Sequence, residues 1–158
     1  MAKGSNKFIM KDYTIRLTDT LNKVANISSG FEIPDYVKSV ADEIYINLNL
    51  EKLFYSIPID TVKRKVAIEN DYLYTIHQVH ELSIPANYTV DYVPQNVSIT
   101  NDLVDFSIEY KKQNDKISAS QKFVLKKLLI EPVQFRELNN TILLMSAAYK
   151  EQIVLKKK

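Results

Sequence analysis

Apolar and polar residues alternate along most of this chain, with the period of two that is typical of β-strands buried on one face. In the first such run, Tyr13, Ile15 and Leu17 share one face, which predicts a half-buried strand. The pattern predicts further strands at 44–50, 72–82, 88–92, 103–110, 116–120 and 122–130. Turn-forming Pro, Asn and Asp residues separate these runs, and the best hairpin candidate is the turn at 113–115.

The period changes after Pro132. Large apolar residues then recur at spacings of three and four, which predicts one stripe of an α-helix, made of Phe135, Leu138, Ile142, Met145 and Tyr149. Pro132 suits the first helical turn, and most of the other side is polar, including Thr141. Burial of five such side chains is worth about 7–15 kcal/mol, so we expect this helix to pack on a sheet. Residues 153–155 read as a last strand and 156–158 as a solvated tail.

The fold class that follows is mainly β, an antiparallel sandwich-like domain with one C-terminal α-helix packed on it. Residues 31–43 fit either a short helix or a loop. Residues 1–10 are interpreted as a disordered lead-in or a cloning scar, and 11–158 as a single β-rich domain. The pattern does not determine the strand order or the oligomeric state.

The overall composition is ordinary for a globular protein, with 46% hydrophobic and 25% charged residues among 158. The formal net charge is only +2, which argues against a nucleic-acid partner. No window approaches the ~20 apolar residues of a membrane-spanning helix.

Residue types that carry out catalysis are scarce. The chain has no Cys, two Gly and two His, so thiol chemistry and Gly-rich phosphate loops are excluded. His77 and His80 are three residues apart in a predicted strand, which places them on opposite faces and unable to share a metal ion. No nucleophile motif surrounds Ser28, Ser29 or Ser118. We therefore expect no catalytic residues, no metal and no cofactor.

Charge is ordered by region between 69 and 127. All charged residues from Glu69 to Glu109 are acidic, and nearly all from Lys111 to Lys127 are basic. A Ca²⁺ site near Asn101, Asp102 and Asp105 is one interpretation. The preferred interpretation is pairing between acidic and basic strands on a wet face, since no Asp-x-Asp-x-Asp-Gly loop is present.

Tyrosine is abundant, with ten Tyr and no Trp. Most Tyr residues lie at alternating strand positions, which favours packing roles, whereas Tyr36, Tyr45, Tyr55 and Tyr110 have no assigned role. An exposed row of Tyr on one sheet face would favour a surface module that binds carbohydrate or peptide. Tyr dispersed into the core would favour a scaffolding role.

Several segments together resemble the C-terminal β domain of bacterial transglutaminase-like proteins. They are 63–65 followed by a short strand and Tyr72, the proline-bounded run 82–94, the strand pair 106–110 and 123–129, and the ending 135–155. The resemblance covers roughly 11–155, and none of these segments is catalytic.

This resemblance implies a non-catalytic accessory domain of a larger bacterial protein, exported to the periplasm or cell surface. The catalytic Cys-His-Asp triad of that family lies in a central core, and no Cys is present here to match it. The implied partner is the transglutaminase-like core of the same parent protein. A surface module that binds carbohydrate or peptide is the alternative, and an enzyme using Ser or carboxylates ranks last.

Overall fold

A computed structural model describes residues 8–16, 26–53 and 58–158. Strands dominate these residues, and one α-helix, α1, spans Phe135–Ala148 after a 3₁₀ turn at Pro132–Gln134. The strands are β1 (Ile9–Arg16), β2 (Asn26–Glu32), β3 (Lys38–Val40), β4 (Glu43–Ile46), β5 (Ile68–Glu69), β6 (Thr75–Ser83), β7 (Tyr88–Tyr92), β8 (Val97–Thr100), β9 (Val104–Gln113), β10 (Lys116–Leu125), β11 (Leu129–Ile130) and β12 (Ile153–Lys157).

These strands form four antiparallel sheets. Two have four strands, in the orders β6-β10-β9-β8 and β3-β4-β12-β7, and two have two strands, β1-β2 and β5-β11. The mainly β, antiparallel fold class with one C-terminal helix is therefore confirmed.

One hydrophobic core joins both four-stranded sheets to α1. Every second residue of β9 and β10 points inward, including the fully buried Phe106 and Phe123. The predicted apolar stripe of the helix is buried in full, and the Tyr149 ring packs edge-on against Phe106 with centroids 5.3 Å apart. The helix thus packs on the sheets as predicted.

Thr141 does not lie on the polar side of the helix, so that prediction is wrong. It is only 3% exposed, because its hydroxyl donates to the Glu137 carbonyl and accepts a hydrogen bond from Asn101 Nδ2 at 2.8 Å. Both hydrogen-bonding roles of the hydroxyl are satisfied, so its burial carries little penalty.

The hairpin predicted at 113–115 is present between β9 and β10. Gln113 pairs with Lys116, which leaves Asn114 and Asp115 as a two-residue turn. Asn114 has a φ of 52°, a left-handed conformation that Asn tolerates better than most residues. The strand predicted at 88–92 is likewise observed as β7.

The boundary predicted between a strand at 116–120 and a strand at 122–130 is wrong. β10 runs unbroken through Gln121 to Leu125, and β11 is a separate short strand that pairs with β5. Gln121 interrupts the apolar pattern because it is a polar side chain that points inward. Its Nε2 donates to the buried Tyr149 hydroxyl at 3.2 Å, which makes this position compatible with the core.

Residues 31–43 adopt neither a helix nor a simple loop. β2 ends at Glu32, and β3 and β4 form a tight hairpin through Ala41 and Asp42. The strand predicted at 44–50 ends at Ile46, because the chain is then held by side-chain hydrogen bonds. Asn47 Oδ1 accepts from the Asn49 backbone N–H, and Asn47 Nδ2 donates to the Tyr149 carbonyl.

The first predicted strand exists but is not half-buried. Every residue of β1 is exposed, and Tyr13 retains 69% of its accessible surface. β1 begins at Ile9, inside the segment interpreted as a lead-in; residues 1–7 and Leu17 lie outside the described residues. The strand predicted at 72–82 begins at Thr75, and β8 was not predicted.

Candidate interaction site

The hairpin formed by β1 and β2 has two chemically different faces. Pairing of Ile15 with Ile27, Tyr13 with Ser29, and Met10 with Phe31 places these side chains on one side. Phe8 joins them by stacking on Phe31 with ring centroids 5.0 Å apart. We call this surface the apolar hairpin face; its large side chains are Phe8, Met10, Tyr13, Ile15, Ile27 and Phe31.

The opposite face of the hairpin is mostly polar and internally bonded, although Ile9 lies on it opposite Glu32. The Gly30 N–H donates to Asp12 Oδ1 at 2.9 Å, and Lys11 forms an ion pair with Glu32 at 2.8 Å. A Cβ at Gly30 would lie 2.8 Å from Asp12 Oδ1, so a larger residue there would push the exposed Asp12 carboxylate aside.

The apolar hairpin face is open to solvent. Ile27 is 71% exposed, and the other large side chains of the face retain between 46% and 69% of their surface. A contiguous exposed apolar patch of this kind marks an interaction site in soluble proteins. In addition, a lone two-stranded hairpin is only marginally stable in water, so packing against a partner would stabilise it.

The sequence pattern identified only Tyr13 and Ile15 of this face. The register of β1 against β2 shifts between Met10 and Asp12, which marks a bulge. The side chains before the bulge therefore lie on the opposite face from the one that strict alternation predicts. For this reason Phe8 and Met10 join Tyr13 and Ile15 although strict alternation separates them. The alternation of Ile27 and Phe31 around Ser29 was a signal for β2 that the sequence analysis did not use.

A second surface lies on the outer side of the sheet β3-β4-β12-β7. Val154 pairs with Tyr45 on one side and with Tyr92 on the other, which aligns the three side chains across the sheet. We call them the tyrosine row. Ile153 and Leu155 are buried on the other face, so the row points away from the core.

Carboxylates surround the tyrosine row. Tyr45 Oη donates to Glu43 Oε2 at 2.5 Å, and Tyr92 Oη donates to Glu151 Oε2 at 3.3 Å. The hydrogen bond to Glu43 raises the pKa of Tyr45 above its usual value. Burial and Glu151 raise the pKa of Tyr92 in the same way. Both phenols therefore stay protonated near neutral pH, and each donates its proton to the neighbouring carboxylate.

The other tyrosines that the sequence left unassigned serve the fold. Tyr36 Oη donates to the Asn47 carbonyl, and the buried Tyr110 Oη accepts from Asn49 Nδ2 at 3.3 Å. Burial raises the pKa of Tyr36 and of Tyr110. Tyr55 lies outside the described residues.

The two histidines lie on opposite faces of β6, as predicted. His77 is exposed, and its Nε2 lies 2.9 Å from Ser120 Oγ. His80 is half-buried on the inner face, and this burial lowers its pKa from the usual 6.5. The His77–Ser120 contact was not predicted; it lies on an open sheet surface.

The serines considered as nucleophiles lie within strands. Ser28 and Ser29 lie in β2 opposite Thr14 and Tyr13, and Ser118 Oγ donates weakly to the Lys111 carbonyl at 3.5 Å. Among the described residues, the structure does not bring three or more His, Asp or Glu side chains together as a metal site.

A lysine occupies the place considered for Ca²⁺. Lys126 Nζ lies 2.5 Å from Asp105 Oδ1 and donates to the Asn101 carbonyl at 2.7 Å. The hydrogen bond from Lys126 lowers the pKa of Asp105. Asn101 Oδ1 meanwhile accepts from the backbone N–H groups of Leu103 and Val104. A second ion pair joins Lys116 to Glu81 at 2.6 Å across β10 and β6, in line with the preferred interpretation of paired strands.

The helices of the described region lack the length and apolar character that a membrane span requires. Comparison with curated proteins and with solved structures gives no match to this chain. The model of DUF3858, a family described as a domain of unknown function with a solved structure, matches residues 42–155. Because this match covers most of the chain, the protein belongs to that family of domains of unknown function.

Proposed function

We propose that this chain is a non-catalytic accessory domain that works by contact with a neighbouring protein domain. The observation that carries the proposal is the apolar hairpin face, six large uncharged side chains exposed on one side of a hairpin. The face lies before residue 42, outside the part that matches the family. The core formed by the described residues does not include these side chains.

The finer proposal is that the neighbour is the transglutaminase-like core of the same parent protein, in the periplasm or at the cell surface of a bacterium. Its support is the sequence resemblance, and the Cys-free composition suits an exported protein. An apolar patch on the core would bury the hairpin face and stabilise the hairpin at the same time.

The test compares two substitutions on opposite faces of the hairpin. Ile27→Glu places a charge in the apolar face, and Thr14→Glu places the same charge on the polar face of β1. Binding to the separately purified core would be measured by isothermal titration calorimetry. We expect Ile27→Glu to weaken binding at least tenfold and Thr14→Glu to change it less than twofold.

Equal affinity of the two variants would overturn the role of the apolar hairpin face. Failure of the unmodified chain to bind the core would overturn the choice of partner. Circular dichroism of both variants would show that the body remains folded.

A second candidate function, binding of carbohydrate or peptide, is favoured by the tyrosine row. Tyr45 and Tyr92 flank β12, so their strands are about 10 Å apart, which is two interstrand spacings. Aromatic rings with adjacent carboxylates suit a ligand that offers both an apolar surface and hydrogen-bond donors.

Titration with β-linked oligosaccharides and with basic peptides would test this second function. We expect Tyr92→Ala to abolish binding and Tyr72→Ala, an exposed tyrosine elsewhere, to leave it unchanged. Lack of saturable binding by the unmodified chain to either class of ligand would exclude this function for the tyrosine row.

A further inference from the structure

The edge strands of the two four-stranded sheets differ in how well they are protected against pairing with another chain. β6 is nine residues long, whereas the other edge strands, β3, β8 and β7, have three, four and five. Natural edge strands are blunted by shortness, by Lys or Pro, or by bulges. β3 carries Lys38, and β7 has a register irregularity against β12. β6 contains no Lys, Arg or Pro, and its pairing with β10 is regular from end to end.

The residues of β6 have a chemically palindromic order about Val79. Going outward from this valine, Gln78 matches His80 and His77 matches Glu81. Ile76 then matches Leu82, and Thr75 matches Ser83 at the two ends. Each pair joins two side chains of compatible chemistry: amide with imidazole, imidazole with carboxylate, apolar with apolar, and hydroxyl with hydroxyl.

We infer that β6 is a dimerisation edge, which pairs antiparallel with β6 of a second copy across a two-fold axis at Val79. A two-fold axis perpendicular to the sheet keeps each strand's outer residues on the outer face. In this register Val79 lies opposite Val79 of the second copy, and His77 lies opposite Glu81 of the second copy. The two sheets β6-β10-β9-β8 then join into one continuous sheet, and the backbone groups of β6 that no described strand pairs with acquire partners.

The register is decided by the same chemistry. Side chains must stay on their own faces, so the axis can move only to another residue of β6. An axis at Gln78 would place Ile76 opposite His80 and His77 opposite Val79. An axis at His80 would place Gln78 opposite Leu82 and Val79 opposite Glu81. Both shifts pair apolar with polar residues and shorten the overlap, whereas the axis at Val79 matches every pair over the full strand.

The exposed side chain of Val79 supports this arrangement. Val79 is 59% exposed on an outer face whose β6 neighbours are polar, so self-pairing would remove an isolated apolar group from water. Glu81 bonds Lys116 of β10 at 2.6 Å, so its carboxylate must turn from Lys116 towards the free edge of β6 to meet His77 of the second copy. On the same face, His77 contacts Ser120 and lies opposite Lys122 of β10. No described residue other than those of β10 pairs with β6.

A single introduced thiol tests the inference directly, because the chain has no Cys of its own. Residues directly opposite in an antiparallel pair have Cα atoms about 4.5–5.5 Å apart, within the range that a disulfide spans. We expect Val79→Cys to form a cross-linked dimer on mild oxidation. Val40→Cys is the matched control, a valine that is 62% exposed on the edge strand β3, and should remain monomeric on a non-reducing gel.

A double substitution checks the register. His77→Cys with Glu81→Cys should cross-link two chains, because each thiol faces the other type in the second copy. His77→Cys alone should not cross-link, since the two copies of residue 77 are four residues out of register. Cross-linking by the single variant, or its absence in the double variant, would overturn the register at Val79.

Light scattering of the unmodified chain measures dimerisation without an introduced thiol. We expect a dimer whose dissociation constant rises at least tenfold in Val79→Lys and less than twofold in Val40→Lys, with circular dichroism unchanged. A monomeric unmodified chain, together with equal cross-linking of Val79→Cys and Val40→Cys, would overturn the proposal. A dimer that persists in Val79→Lys would also overturn it, because the interface would then lie elsewhere, for instance on the apolar hairpin face.

Discussion

The hairpin β1-β2 and the body at residues 42–155 are both built from antiparallel strands with alternating apolar residues, but they bury those residues very differently. In β9 and β10 every inward apolar side chain is buried, with Phe106 and Phe123 at 1% and 0% exposure. In the hairpin, Ile27 and Tyr13 are about 70% exposed although they also share one face.

The difference shows that alternation determines which side of a strand is apolar, and that burial needs a second layer. In the body this layer is supplied by α1 and by the opposing sheet, which share one core. Among the described strands, β1 and β2 pair only with each other. Among the described residues, the apolar hairpin face therefore has no second layer packed against it.

The largest effect should come from a large-to-small substitution made in both regions. Phe106→Ala leaves a cavity in the core and should lower the free energy of unfolding by about 3–5 kcal/mol. Phe31→Ala removes a half-exposed ring and should cost less than about 1 kcal/mol. Urea unfolding followed by circular dichroism measures both. A large cost for Phe31→Ala would mean that the apolar hairpin face is packed in solution.

A smaller effect is expected from the polar contact inside the body. Tyr149→Phe removes the hydroxyl that accepts from Gln121 Nε2 and leaves a buried donor without this partner. The expected loss is about 1–3 kcal/mol in the free energy of unfolding, measured by the same urea titration. Tyr92→Phe is the control, since its hydroxyl is at the surface. An unchanged midpoint for Tyr149→Phe would show that Gln121 finds another acceptor.

The ion pair at the former Ca²⁺ candidate should contribute less. Lys126→Met removes the partner that lowers the pKa of Asp105. Both groups are partly solvated, so the expected cost at neutral pH is about 0.2–1 kcal/mol. The contribution is present above the unfolded pKa of Asp, near 3.8, and is lost as pH falls through the lower folded pKa. Unfolding curves at pH 7 and pH 2 should therefore differ less in Lys126→Met than in the unmodified chain.

The smallest effect should be a pH dependence that only the body can show, because both histidines lie outside the hairpin. Burial lowers the pKa of His80, so the unfolded chain binds a proton at higher pH than the folded chain does. Stability is then complete above pH 6.5 and declines as pH falls below that value. His80→Gln should flatten this decline in thermal unfolding curves, and His77→Gln should not. A decline that survives in His80→Gln would assign it to another group.

Local periodicity was enough to predict most elements of the body. The 3-4-3-4 spacing from Phe135 to Tyr149 identified α1 and its buried side, and Asn114 with Asp115 identified the β9-β10 turn. These features depend on backbone geometry over a few residues, and that geometry can be inferred from the local sequence. The predictions were wrong where a contact with another segment of the chain changed the burial of a side chain or the face on which it lies. Tyr149 accepts a hydrogen bond from the buried Gln121, Asn101 donates one to the buried Thr141, and the bulge near Lys11 moved Phe8 and Met10 to another face.

The sequence by itself predicted most strands of the body, the helix, and the apolar stripe of that helix. Only the tertiary structure decided that Tyr45, Tyr92 and Val154 form one row, that Lys126 fills the Asp105 site, and that β6 is left at an edge. The physical reason is that strand formation depends on neighbours along the chain, whereas strand order depends on pairing between segments that are far apart in sequence.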